Sequence, residues 1–128
     1  MTTTTVEITS FGYLHDAPPS AHLIIDLRHH FRDPHITPGL RYMTAHDEPV
    51  RAAVLATSGI GPLLGGVLTS VAAFRAGPSA GTVIVAVGCA GGRHRAPAFS
   101  QALADMLTAT GHTVTVQHRD LEKPVVDR

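Results

Sequence analysis

The chain has 128 residues, ten basic side chains balanced by ten acidic ones, and a single cysteine. A chain of that length supports one domain with its own hydrophobic core, and one cysteine excludes an internal disulfide. The balanced charge argues against holding nucleic acid by bulk electrostatics, and no apolar run reaches membrane-spanning length, so a soluble cytoplasmic protein is expected.

Residues 1–5 are polar and are expected to be disordered; residues 6–124 form the domain and 125–128 a short tail. Val6 to Phe11 alternates as a strand that Gly12 ends, and after the Pro18-Pro19 loop His22 to Arg28 reads as a buried strand with charge at its C-terminal end. The segment from His29 to Pro49 is too long for an ordinary connection and is expected to be ordered and functional. Pro49 suits the first position of a helix through Val54 and Leu55, with Asp47 as its N-cap. A second helix carries Ile60, Leu64, Val67, Leu68 and Val71 at helical spacing until Gly77-Pro78, and covers one face of the sheet.

The β-branched run Thr82 to Val87 is a short buried strand closed by Gly88, Gly91 and Gly92, and the residues after Arg95 return to helical periodicity through Phe99, Leu103, Met106, Leu107 and Thr110. Thr113 to Gln117 is the last strand, parallel to the Thr82–Val87 strand across a helical crossover. The expected fold is a single α/β domain, its sheet mixed or mostly parallel and flanked by helices, centred on a strand, a glycine-rich loop and a helix. Ligands of such sheets bind beyond the carboxyl ends of the strands, where Asp26, Arg28, Cys89 to Arg95 and Arg119 fall.

The loop Gly88-Cys89-Ala90-Gly91-Gly92-Arg93-His94-Arg95 is suited to phosphate, because its amides converge at a helix N-terminus where the dipole favours an anion. Arg95 makes the strongest case, since an arginine in the first turn of a helix opposes the dipole unless an anion lies beside it. Arg93 is expected to face solvent. Cys89 and Arg95 have the spacing of the cysteine-dependent phosphatase loop, in which a thiolate attacks phosphorus while the arginine holds the other oxygens. Gly88 and Ala96, however, stand where that loop has a histidine and a hydroxyl residue, and a small buried cysteine is the alternative. His94 is a candidate phosphate donor, general acid or helix cap, and Asp26 is a general base, an orienting group or, by default, the partner of Arg28.

Other motifs carry less. His29, His30, His35, His94 and His118 match no standard metal spacing, so no metal is expected. His118-Arg119-Asp120 echoes a kinase catalytic loop without its companion motifs, Gly59-Ile60-Gly61 lacks the third glycine of a dinucleotide fingerprint, and no Gly-Lys-Ser/Thr loop exists; no cofactor is expected.

Together Ser10-Phe11-Gly12-Tyr13, Asp26-Leu27-Arg28, Asp33-Pro34-His35, Pro38-Gly39-Leu40-Arg41, Asp47-Glu48-Pro49-Val50, the Gly88–Arg95 loop and His118 to Lys123 resemble the C-terminal domain of the RNase adapter protein RapZ, from about Val6 to Pro124. The resemblance implies an α/β domain, likened to part of the phosphofructokinase fold, that binds glucosamine-6-phosphate, takes part in small-RNA binding and assembles into homo-oligomers. It implies a ligand site of Asp26, Arg28, His35, Cys89, Ala90, Gly91, Gly92, His94, Arg95 and Arg119. The family's N-terminal P-loop domain is not in this sequence, so a stand-alone version with an RNA or protein partner is expected. Ala90 and Ala96 replace the family's usual threonine and serine, and Leu14 an expected lysine, which weakens the RNA reading. The leading expectation is a sensor of an amino-sugar phosphate. The alternatives are an enzyme using Cys89, or His94 with Asp26, and an RNA adapter using Arg28, Arg32, Arg41, Arg93, Arg95 and Arg119.

Overall fold

A computed structural model describes residues 5–79 and 81–127 of the chain. The expected disorder of residues 1–5 falls almost wholly outside this range; Thr5 itself opens β1 (Thr5–Gly12). There follow β2 (Leu23–Asp26), a 3-10 turn (Pro34–Ile36), α1 (Glu48–Leu55), α2 (Ile60–Ala76), β3 (Val83–Cys89), α3 (Arg95–Ala109) and β4 (Thr113–His118). The sheet order is β2-β3-β1-β4, and every pairing is parallel, with Ile8 facing Val85 on one side and Val116 on the other. The sheet is therefore wholly parallel, at the parallel end of the expected range. The β3-α3-β4 unit forms as expected, but β1 lies between its two strands, so α3 crosses over β1.

Alternation along the strands decides where the core sits. Val6, Ile8, Val83, Val85 and Val87 turn one face toward Leu64, Val67 and Val71 of α2 and Phe99, Leu103 and Leu107 of α3. Burial of this set is the main stabilising term, at ~25 cal/mol per Å² of apolar surface. α1 does not reach this core; its Val50 and Val54 pack with Ala45, Ala98 and Leu121. On the other face Glu7, Ile24, Thr115 and Gln117 are exposed and Thr9 and Ile84 half-buried.

Several expectations change. β2 is a four-residue edge strand, half-exposed in alternation rather than buried, because only β3 pairs with it. Met106 is 37 % exposed and Thr110 is the C-cap of α3, so Ala104, not these two, completes its inner face with Phe99, Leu103 and Leu107. Pro49 is the second helical residue; Asp47 is the N-cap of α1 as expected, but its carboxylate accepts from the Thr44 N–H at 3.0 Å rather than from an N–H of the helix.

Candidate functional site

The ends of β1 and β3 meet under the glycine turn. The backbone leaves β3 through Ala90 and Gly91, reverses at Gly92, whose φ of 77° is left-handed, and enters α3 at Arg95. Gly12 and Gly92 are in close contact: a Cβ on Gly92 would lie 2.9 Å from the Gly12 nitrogen. Only glycine fits there.

Asp120 fixes this packing from beneath. Its side chain is fully buried, accepts from the Gly12 N–H at 2.7 Å, and is paired with Arg119 at 2.9 Å and Lys123 at 2.6 Å. Burial alone would raise its pKa, but hydrogen bonds from Arg119, the Gly12 N–H and Lys123 outweigh it and hold the carboxyl at about 2. The carboxylate thus stays ionised beneath the turn.

Above the turn lies a small cavity lined by Asp33, His35, Cys89, Gly91, Arg93, His94, Arg95 and Val125. Its enclosed volume is about 10 Å³, room for one water or one ligand oxygen. Five residues expected at the site, His35, Cys89, Gly91, His94 and Arg95, are brought together here. Ala90 and Gly92 belong to the same turn without lining the cavity, and the Gly92 N–H points to the Cys89 Sγ at 3.3 Å.

The remaining three expected residues lie apart. Arg28 forks onto Asp26, with Nη2 to Oδ2 at 2.7 Å, and its guanidinium stacks 3.6 Å over the Tyr13 ring. The Arg28 hydrogen bond holds the Asp26 carboxyl below the usual carboxylate range. Arg119 donates to the carbonyls of Gly12, Asp16 and Ala17, pinning the β1–β2 connection. These three residues brace the sheet end beside the cavity.

Arg95 differs most from its expected role. It is 2 % exposed, and Nη1 donates to the carbonyls of Leu27 at 2.8 Å, Arg28 at 3.1 Å and Phe31 at 3.3 Å. Nη2 pairs with Asp33 at 3.2 Å. The anion that an arginine at this helix start requires is therefore supplied by Asp33, whose other oxygen accepts from the His35 N–H and caps the 3-10 turn. Arg93 is half-buried rather than solvent-facing, with its guanidinium donating to the carbonyls of Lys123 and Tyr42. Asp33, Arg93 and Val125 on the wall and Asp120 beneath it are not among the expected site residues; the Asp-Pro pair opening a turn and the place of Asp33 and Asp120 within the resembling motifs are the signs in the sequence.

Several donors on the residues that line this cavity are unmet. The Nε–H groups of Arg93 and Arg95 are buried and meet no acceptor among the described residues, and neither does the N–H of the buried Gly91. Each such group costs about 1–3 kcal/mol unless a ligand or solvent oxygen meets it. His94 Nε2 lies 2.9 Å from the Met43 carbonyl, which can only accept, so this nitrogen carries the proton. Cys89 is 2 % exposed and its sulfur accepts from the Gly92 and Ala96 N–H groups, a loop-bracing contact. Among the described residues no three His, Cys, Asp or Glu side chains are grouped as a metal site, and no single helix is long and apolar enough to cross a membrane.

Fold and cavity together define a small parallel α/β domain with a donor-rich hollow at the helix start that follows its central β3 strand. The family model of the RapZ C-terminal domain matches residues 4–122, and the chain belongs to that family. It is similar to a nucleotide-binding protein of Thermobifida fusca, 40 % identical over 117 residues, covering 89 % of this chain and 40 % of that protein. A nucleotide-binding protein of Bifidobacterium adolescentis is 37 % identical over 129 residues, covering 98 % and 41 %. One from Trichlorobacter lovleyi is 36 % identical over 124 residues, covering 93 % and 42 %. The chain thus spans about two fifths of the length of these curated relatives.

Proposed function

We propose that this domain is a regulatory binding module for a small phosphorylated metabolite, an amino-sugar phosphate such as glucosamine-6-phosphate, held at the turn between β3 and α3. The observation that carries the reading is a set of unmet donors: the buried Nε–H groups of Arg93 and Arg95 and the Gly91 N–H all belong to cavity-lining residues and lack acceptors among the described residues. A phosphate oxygen is the acceptor that such a set fits, and the N-terminus of α3 adds its dipole. His35 and His94 stand on the wall to meet further oxygens or sugar hydroxyls. Asp33, a carboxylate on the same wall, suits a ligand that carries an amine as well as a phosphate.

The phosphatase reading draws less support. It needs the arginine's guanidinium turned to the phosphate, whereas both terminal nitrogens of Arg95 are already held by carbonyls and Asp33, and it needs an accessible thiolate where Cys89 is buried. An RNA adapter role draws on arginines, yet Arg28, Arg41, Arg93, Arg95 and Arg119 each donate to groups of the protein itself. Thermal unfolding with glucosamine-6-phosphate, other sugar phosphates and sulfate tests the reading, because a ligand of the folded state alone raises the midpoint. A rise with one sugar phosphate beyond that with sulfate, diminished in His35→Ala, is expected; equal shifts with sulfate would reduce the site to unselective anion binding.

A further inference from the structure

We propose that residues 122–127 form a strap across the cavity, and that a ligand larger than a single oxygen enters only when Val125 swings away. The proposal rests on the ligand reading above and adds how the site is gated. Sites for small organic ligands enclose about 300–1,000 Å³, whereas the hollow here encloses about 10 Å³, with Val125 as one wall. The other lining residues sit at the end of β3 (Cys89), in the β3–α3 turn, at the start of α3 (Arg95), or in the 3-10 turn and its cap (His35 and Asp33). Val125 instead lies past the last strand, in the stretch 124–127, which belongs to no helix or strand and follows the anchored residues 119–123. Even so, Val125 and Val126 are half-buried, so the stretch is laid onto the body of the domain rather than projecting from it.

The attachments of the strap suit a closure that opens. The Arg93 guanidinium donates to the Lys123 carbonyl at 2.9 Å, Lys123 Nζ pairs with Asp120 at 2.6 Å, and Glu122 pairs with His46 at 3.4 Å. In the last pair both side chains are well exposed, at 68 % and 82 %, and such pairs are weak in water. Arg93 is also a wall residue with an unpaired Nε–H, so an entering phosphate draws the same guanidinium that holds the strap. Ligand entry and strap release are thereby coupled through one side chain.

Cys89, the single cysteine of the chain, lines this cavity at 2 % exposure and reports its opening without any ligand. Alkylation by iodoacetamide, followed by intact mass, is compared in the full chain, a chain ending at Pro124, and Val125→Gly, which keeps the tail. With unfolding midpoints unchanged, both variants should react at least about tenfold faster, as expected when a closing segment is lost. Equal rates in all three folded chains would overturn the strap by showing that Val125 does not shield Cys89. Adding glucosamine-6-phosphate separates the two readings: fast alkylation in the variants without protection by the sugar phosphate keeps the strap and removes the ligand, whereas equal rates with protection do the reverse.

Discussion

Replacing Arg95 by alanine distinguishes a buried clamp from a ligand-gripping side chain. The guanidinium is 2 % exposed and holds the carbonyls of Leu27, Arg28 and Phe31 together with the Asp33 carboxylate. Those partners lie in the connection after β2, so one side chain on α3 anchors the segment that carries His35. Removing one partner of a buried, hydrogen-bonded ion pair costs about 3–5 kcal/mol, since the other charge and the carbonyls stay behind. With an unfolding entropy of about 2.1 cal/mol/K per residue, a chain of 128 residues loses about 4 °C for each 1 kcal/mol. Arg95→Ala should therefore lower the midpoint of the unliganded protein by about 15 °C. Calorimetry or urea titration followed by circular dichroism measures this directly, and Arg95→Lys, which keeps a charge but not the fork, should fall between. A fall of less than about 4 °C would refute the clamp and return Arg95 to the exposed, ligand-facing role.

Asp120→Asn should cost roughly 2 kcal/mol at neutral pH, because the carboxyl titrates at 3.8 unfolded and about 2 folded. The sign follows from that depression: the contribution is complete above pH 3.8 and is lost as pH falls toward 2, so the variant's stability should change less across that window, as acid titrations of the urea midpoint will report. The His118 pKa lies below 6.5, chiefly through burial and then through the charge of His46, so the folded state resists protonation and stability should decline as pH falls below 6.5. His118→Gln should flatten that decline in urea titrations from about pH 8 to about pH 5; an unchanged slope would remove His118 as its source. Gly92→Ala places a Cβ 2.9 Å from the Gly12 nitrogen at a φ of 77°. It should cost about 1–3 kcal/mol and abolish any midpoint rise with glucosamine-6-phosphate, and wild-type behaviour would show that the turn tolerates another shape.

Much of the fold is legible in local pattern. The β-branched run of β3, the 3.6-residue spacing of α2 and the glycine closing α3 each act within a few residues, so their elements follow from composition alone. Sheet order is different. Nothing local tells β1 to sit between β3 and β4, and the half-exposed alternation of β2 depends on its being an edge. The same division holds at the site. The turn from Cys89 to Arg95 is readable because glycines mark it, but the role of Arg95 is set by Leu27, Phe31 and Asp33, more than 60 positions away along the chain. Charge in a motif shows that a partner is required; only the fold shows that Asp33 is that partner. Asp26, Arg28 and Arg119 lie at strand ends as expected, and their nearest partners engage them outside the cavity.

The most direct test is a titration of isotope-labelled protein with glucosamine-6-phosphate, following backbone amide and arginine Nε–H signals by nuclear magnetic resonance. The Gly91 amide and the Nε–H signals of Arg93 and Arg95 should shift first and farthest, as their unmet donors find phosphate oxygens. If these three signals stay in place while others move, or if nothing moves, the turn between β3 and α3 is not the phosphate site.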